Sequence, residues 1–348
     1  LILAGWGLAD ETDGGDIANA WYYRGMGKPY AGKIPLSYTV NYNNIENTAD
    51  SNYPNGYKAF YIMKHELSQH AYVDFLNTLS ESQQEYLVNT GKPSATNASS
   101  NPRTFDVSRN WIRLREKAAG SPAIYGCWVD GETQTPWAQE SNAGNVAVNG
   151  LDWYANTAYL CWAGLRPLTE LEYEKACRGT APIVENEYAW GTSSTIPVTG
   201  VPSNINKSNE LANPTNANYI PQAANFPLRV GALATASSTR TDAGASFYGV
   251  LNLSDNVSEI YINICTPQGR AYSGEHGSGV LNGNGEAEIE KWPNNNSAVG
   301  TGIRGIYSNA HADVANRTYI ETKISRSNPA TFGMNSYVGC RGGRTAPK

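Results

Sequence analysis

Residues 149–179 constrain the fold more than any other stretch, because two helices with clear start and stop signals follow one another there. In the first, Trp153 and Trp162 belong to an apolar set at helical spacing, and Gly164 ends the helix as a C-terminal glycine does. In the second, Thr169 precedes glutamates in the first turn, where a hydroxyl cap and negative charge both stabilise a helix. We therefore expect this helical pair to form part of the core.

The rest of the chain favours turns and short elements. Only 16% of its 348 residues are charged, against about 25% in typical globular chains, while 34 Gly, 18 Pro and 22 Tyr are present. Glycine, proline and asparagine are typical of turns. Two main helices among short strands and much irregular structure indicate an α+β fold.

Weaker patterns predict further elements along the chain. The spacing of apolar residues predicts a buried strand at 56–63, a helix that starts after Ser68 and a second helix at 81–90. Another strand is expected within 123–129, and strands are also expected within 248–264.

Charge and hydropathy exclude two classes of partner. The net charge is −5, and no basic run of five or more residues occurs, so the electrostatic footprint of a nucleic-acid-binding protein is absent. No apolar run approaches the roughly 18 residues that a membrane-spanning helix needs. The sequence therefore predicts neither a nucleic-acid partner nor a membrane span.

The candidate catalytic and metal-binding motifs each lack a required residue or spacing. Residues 27–33 have the spacing of a phosphate-binding loop, but Ile34 stands where a hydroxyl must contact magnesium. His65 and His70 are five residues apart, which separates them by about 140° on a helix and prevents them from sharing a metal. The five cysteines form no C-x-x-C pair, so buried free thiols are the simplest interpretation, with at most two disulfides as the alternative.

Five ordered landmarks resemble the formylglycine-generating-enzyme (sulfatase-modifying factor) domain family. They are residues 60–69 followed by 72–75, residues 149–179, residues 188–191, residues 248–259, and the arginine-containing turns 304–305 and 339–341. The resemblance implies an elaborated C-type-lectin fold over residues 56–348. Residues 1–55 would then be an N-terminal strand-and-loop extension packed on the core. The resemblance also favours an extracellular or cell-surface location.

The chemistry implied by the resemblance is not supported by the residues. Enzymes of this family use two nearby cysteines in the C-terminal segment to bind copper, and thiolates are the ligands that soft Cu(I) selects. Between Gly302 and Arg341 this chain has only Cys340. A second branch uses iron held by clustered histidines, and this chain has four histidines in all. We therefore predict a non-catalytic protein without a catalytic cofactor, with a metal-dependent oxidase or oxygenase as the alternative.

The resemblance does imply one structural cation. In the enzymes of the family, the turn that resembles residues 252–259 holds calcium, and oxygen ligands suit this hard ion. The ligands correspond to Asn252, Asp255, Val257 and Glu259, of which Asp255 and Val257 would use their backbone carbonyl groups. A turn closed by hydrogen bonds alone is the alternative.

Residues 303–338 depart from the family pattern while the motifs upstream stay intact. Tyrosine, serine, asparagine and small residues dominate this segment, as they do in antibody paratopes. It resembles the hypervariable C-terminal region of the variable proteins of diversity-generating retroelements, which implies a protein ligand. An inactive family member with an ordinary polar loop and a carbohydrate-binding lectin are alternatives. The candidate contact residues are Tyr307, Asn309, His311, Asp313, Asn316, Tyr319, Ser327, Asn328, Asn335 and Tyr337.

Overall fold

The fold is known from a computed structural model. It describes residues 52–88, 109–129, 142–180, 188–192, 194, 201–212, 227–263, 267–293, 298–305 and 338–347, together with the backbone of residues 317–320. The helices in these ranges are α1 Gln69–Leu76, α2 Glu81–Val88, α3 Trp153–Trp162, α4 Glu170–Arg178 and the short α5 Pro267–Arg270. The strands are β1 Phe60–Ile62, β2 Ile112–Glu116, β3 Ile124–Cys127, β4 Glu259–Ile262, β5 Thr301–Arg304, β6 Arg317–Ile320 and β7 Gly343–Thr345.

The described strands pair into small antiparallel sheets. β1 pairs with β7, so the beginning and the end of the described chain lie side by side. β2 and β3 form a second pair, and β4, β5 and β6 form a three-stranded sheet in that order. Short strands and helices are thus mixed, as expected for an α+β fold, and the sheet of β4 to β6 contains part of residues 303–338.

The predicted helix starts are confirmed by their caps. The Ser68 hydroxyl accepts a hydrogen bond from the Ala71 amide at the start of α1. At the start of α4, the Thr169 hydroxyl and the Glu172 carboxylate form a reciprocal capping box. Each cap satisfies amide groups that have no partner within the helix, so local sequence fixes where these helices begin.

The main core is built around α1 and α3. Trp153 is fully buried, and its indole N–H donates to the Pro293 carbonyl at 3.1 Å. Phe75 of α1 meets Tyr159 of α3 edge to face, with ring centroids 5.7 Å apart. The aromatic pair fixes how the two helices pack, because offset and edge-to-face geometries are the favourable ones.

A glycine-rich loop lies directly on the end of α3. The Gly277 amide donates to the Leu165 carbonyl at 2.7 Å, and the Gly279 amide donates to the Cys161 carbonyl at 2.9 Å. A Cβ at Gly277 would lie 2.3 Å from the Cys161 Cα, whereas a Cβ at Gly283 of the same loop would meet no atom within 4 Å. Close approach of two backbones therefore requires glycine at 277 but not at 283.

Two details differ from the sequence-based expectations. β2 is a strand that the sequence analysis does not predict, because its Ile112 and Leu114 are buried by long-range packing that no local pattern reveals. Within 248–263 only β4 is a strand, and residues 246–250 form a tight turn instead. The predicted helices that start after Ser68 and at residue 81 are confirmed as α1 and α2, of eight residues each.

Candidate functional site

Both ends of the segment 303–338 are attached to the same place on the scaffold. Arg304, the last residue of β5, pairs with Glu259 at the start of β4. Val338 forms an isolated parallel bridge with Ser258, the residue before Glu259, and the Gly339 amide donates to the Ser258 carbonyl at 2.8 Å. The segment therefore leaves and rejoins the scaffold at neighbouring residues.

A buried arginine holds the first end of the segment. Arg304 is 1% exposed, and its guanidinium donates to the Glu174 carboxylate at 2.5 Å and to the Glu170 carbonyl at 3.2 Å. Its Cζ also lies 5.1 Å from the centroid of the Tyr173 ring, within range of a cation–π interaction. These contacts tie β5 to helix α4.

A second buried arginine holds the other end. The Arg341 Nε donates to the Glu259 carboxylate at 2.8 Å, and its terminal nitrogens donate to the carbonyl groups of Met63 and Leu251, also at 2.8 Å. The Tyr173 hydroxyl donates to the other oxygen of Glu259 at 2.8 Å. Tyr173 thus contacts both buried arginines, Arg304 and Arg341, which are called the arginine anchors below.

The second anchor belongs to a cluster of buried carboxyl groups. Glu66 accepts hydrogen bonds from the Val257 amide at 2.9 Å and from the Asn256 side chain at 2.5 Å. Burial raises the pKa of Asp255 to about 6 and that of Glu259 to about 7. Burial, followed by the charge of Glu259, also raises the pKa of Glu66. Glu66, Asp255 and Glu259 thus place three buried carboxyl groups near one buried guanidinium, that of Arg341.

From this cluster we predict that the free energy of unfolding is larger at lower pH, when it is measured in buffer that contains a chelator. The folded pKa values of Asp255 and Glu259 exceed their unfolded values of 3.8 and 4.5, so the native state binds more protons over roughly pH 4 to 7. The free energy of unfolding should therefore fall as the pH rises through this window, by about 4 kcal/mol between pH 5 and pH 8. Urea unfolding at each pH measures this change.

Two variants provide the controls for this pH dependence. Asp255→Asn keeps an oxygen for the Asn252 amide that donates at 2.9 Å and should reduce the pH dependence. Asp242→Asn should leave the pH dependence between pH 5 and pH 8 unchanged, because hydrogen bonds from Thr239 lower the pKa of this exposed carboxyl, so that it is ionised in both the folded and the unfolded state over that range. A stability that rises between pH 5 and pH 8 in both the wild type and Asp255→Asn would contradict the prediction.

The residues that correspond to the calcium ligands already have partners inside the protein. The Asn252 side-chain oxygen accepts from the Gly231 amide at 2.8 Å, and both oxygens of Glu259 are engaged by Arg341 and Tyr173. Among the described residues, no group of three or more His, Cys, Asp or Glu side chains is placed to hold a metal ion. In this arrangement the oxygens of these side chains are engaged by other donors and do not form a calcium site. A bound calcium ion at residues 252–259 therefore stays a prediction.

The histidines of the described ranges lie in separate surroundings. His65 packs against Gly231, and His70 packs against Gly144. The His276 Nε2 accepts a hydrogen bond from the Thr345 amide at 2.9 Å. These contacts give the three side chains different neighbours, and His311 lies outside the described residues.

The cysteines within the described ranges are buried and form no disulfide with one another, namely Cys127, Cys161, Cys177 and Cys340. Burial raises the pKa of the Cys177 and Cys340 thiols well above the ordinary value. A thiol that stays protonated is a poor nucleophile and a poor metal ligand. Cys265 lies outside the described residues.

The structure describes one of the candidate contact residues in part. The backbone of Tyr319 lies in β6, opposite Gly302 of β5. The other candidates lie outside the described residues: Tyr307, Asn309, His311, Asp313, Asn316, Ser327, Asn328, Asn335 and Tyr337.

The sequence analysis did not identify two buried carboxylates of the site, Glu174, which pairs with Arg304, and Glu66, which accepts hydrogen bonds from Asn256 and Val257. Glu174 and Glu66 lie within the family-like stretches 149–179 and 60–69, and both are buried. A buried glutamate usually needs a cationic or hydrogen-bonding partner. A glutamate in a stretch that is expected to be buried therefore predicts a buried cation or hydrogen-bond donor as its partner, although it does not say which residue that partner is.

Comparison with known proteins agrees with this architecture. A model of the sulfatase-modifying factor enzyme 1-like domain matches residues 36–314, which is most of the chain. The match ends inside the segment 303–338. A search of curated proteins found no match. No helix in the described ranges is long and apolar enough to cross a membrane. The chain belongs to the sulfatase-modifying factor enzyme 1-like domain family.

Proposed function

We propose that this chain is a non-catalytic ligand-binding protein that displays a diversified C-terminal surface on a C-type-lectin scaffold. In this proposal residues 303–338 form the binding segment of a variable protein of a diversity-generating retroelement, and a protein is its ligand. The protein acts outside the cell or at the cell surface. The observation that carries the proposal is the attachment of both ends of the segment to Ser258 and Glu259 through buried contacts.

This attachment separates the stability of the scaffold from the sequence of the segment. Among the described residues, Arg304 and Arg341 donate hydrogen bonds to α4, to Glu259 and to the carbonyl groups of Met63 and Leu251, none of which belongs to the segment. Substitutions at exposed positions between them would then change the free energy of unfolding by about 0.5 kcal/mol or less. A binding surface that varies widely needs this independence.

The composition of the segment also supports a binding role. Tyrosine supplies contact area at a low cost in conformational entropy, and serine and asparagine supply adaptable hydrogen bonds. The family match ends at residue 314, within the segment whose composition resembles a paratope.

Replacing Tyr307 and Tyr337 together by Ala should weaken binding of a protein ligand at least tenfold. Tyrosines often contribute the largest share of interface energy. The melting temperature should change by less than about 2 °C, because surface substitutions have small effects on stability. Surface plasmon resonance against a ligand found on a protein array measures the first quantity, and calorimetry measures the second.

A matched control separates contact from framework roles. Tyr57→Ala removes a tyrosine that is 87% exposed on the scaffold and should leave the affinity unchanged. A large drop in melting temperature for the Tyr307 and Tyr337 variant would make these residues part of the framework instead.

Sequencing the gene's surroundings tests the proposal directly. A nearby reverse transcriptase gene, and a near-copy of the codons for residues 303–340 that differs mainly at adenines, would support it. An invariant 3′ end without such an element would refute it. The metal-dependent oxidase or oxygenase would then become the leading function, with stoichiometric copper or iron and oxygen consumption as its test. A lectin would be recognised by calcium-dependent binding to a glycan array.

A structural calcium ion at residues 252–259 is a separate part of the proposal. For the ion to bind, Glu259 or Asn252 would have to exchange an internal hydrogen bond for the cation. Calcium at one hundred times its dissociation constant would stabilise the fold by about 2.7 kcal/mol. A melting temperature that rises with calcium and falls with EDTA, but not in an Asn252→Ala variant, supports the ion. Identical melting temperatures with and without calcium would refute the structural calcium ion.

A further inference from the structure

An exposed aromatic and cationic patch surrounds the C-terminal half of α4. It consists of Tyr57, Lys58, Lys175, Phe247 and Tyr248, and is called the α4 patch below. The three aromatic side chains are 87%, 42% and 52% exposed in that order. The Lys175 ammonium lies 3.4 Å from the carbonyl oxygens of Tyr57 and Lys58. Clustered aromatic exposure of this kind usually marks an interaction surface.

The turn that carries two of these aromatic residues projects them outward. The Gly249 amide donates to the Ser246 carbonyl at 3.0 Å, which places Phe247 and Tyr248 at the corner of a tight turn. Glycine, asparagine, aspartate and proline are the usual residues there. The two rings lie edge to face with centroids 5.0 Å apart, and Phe247 also packs against Gly179 at the end of α4.

The N-terminal part of the chain joins the described residues beside this patch. The Thr169 hydroxyl, at the start of α4, donates to the Pro54 carbonyl at 2.5 Å. A Cβ at Gly56 would lie 2.9 Å from the Leu171 carbonyl oxygen. Residues 54–56 therefore lie along α4, directly before Tyr57.

The charge of the N-terminal part complements the patch. Residues 10–16 contain Asp10, Glu11, Asp13 and Asp16 and no basic residue, and an aromatic run, Trp21-Tyr22-Tyr23, follows. Carboxylates facing Lys58 and Lys175, with aromatic rings facing aromatic rings, would match both the charge and the apolar character of the patch.

We propose that residues 10–23 of the same chain dock on the α4 patch, with the acidic residues against Lys58 and Lys175 and the aromatic run against Tyr57, Phe247 and Tyr248. This inference does not depend on the function proposed above. Docking covers the exposed aromatic side chains of the α4 patch.

Carbodiimide cross-linking of the full chain at low salt tests the contact. We expect amide links between the acidic residues 10–16 and Lys58 or Lys175 in the monomer band, with a yield that does not depend on protein concentration. Links confined to a band of twice the mass would assign the contact to a second copy and overturn the proposal. The absence of any link from residues 10–16 to these lysines would also overturn it.

Hydroxyl-radical footprinting provides an independent readout. In the variant Asp10→Asn, Glu11→Gln, Asp13→Asn, Asp16→Asn, modification of Tyr57 and Tyr248 should rise at least threefold at low salt. About 0.5 M salt should raise it similarly in the wild type, because salt screens exposed charges. Val280, which is 71% exposed on another loop, is the internal control. Equal tyrosine modification in variant and wild type would refute the docking.

Discussion

Replacing Arg341 by Met is expected to lower the free energy of unfolding by about 3–5 kcal/mol, the usual cost of removing one partner of a buried ion pair. Arg341 is 1% exposed and donates to Glu259, which is equally buried. Without the guanidinium, Glu259 retains among the described residues only the Tyr173 hydroxyl, and Glu66 and Asp255 lose the cation that favours their ionised forms. Urea unfolding measures the loss.

Two further variants test this explanation. Arg344→Met removes an exposed arginine three residues away that donates only to the Gly164 carbonyl among the described residues, and it should cost about 0.5 kcal/mol or less. Adding Glu259→Gln to Arg341→Met should recover part of the loss, because the unpaired buried charge is removed. Equal losses for Arg341→Met and Arg344→Met would mean that the buried pair contributes little to stability.

The substitution Gly277→Ala is expected to cost about 3 kcal/mol, at the upper end of the usual range for overpacking. The added methyl group would lie 2.3 Å from the Cys161 Cα and 2.6 Å from its carbonyl oxygen. Both atoms belong to the backbone of α3, so no side chain can rotate away. The loop must instead shift and weaken the bonds that Gly277 and Gly279 donate to Leu165 and Cys161.

Gly283→Ala is the matched control, because it adds the same methyl group to the same loop. Neither glycine has a positive φ, and a Cβ at 283 would meet no atom within 4 Å. This variant should be neutral or slightly stabilising, since alanine restricts the unfolded chain. Thermal melting of the two variants should therefore differ by several degrees, and equal melting would contradict the close approach at 277.

Sequence predicted those parts of the fold that depend on local interactions. The starts of α1 and α4 follow from Ser68 and Thr169, whose side chains satisfy amides three residues later. The family resemblance was also predictable, because its landmarks are contiguous stretches such as 149–179.

The contacts that build the candidate site could not be predicted, because they join residues distant in sequence. Arg341 pairs with Glu259, and Arg304 pairs with Glu174. A single sequence shows that each residue is charged but not which opposite charge it meets. The pairing of β1 with β7 is hidden for the same reason, since strand propensity does not specify a partner.

The joining of residues 305 and 338 at one point of β4 has a consequence for the length of the intervening chain. Closing a loop costs conformational entropy that grows only with the logarithm of its length, so doubling the loop adds only about 0.6 kcal/mol. Because the stems are held by Arg304, Arg341 and the bridge at Ser258, the scaffold sets where the loop is closed and not how long it is. Insertions and deletions between β5 and β6, or between β6 and Val338, should therefore be tolerated, whereas changes within β6 would disturb its pairing with β5.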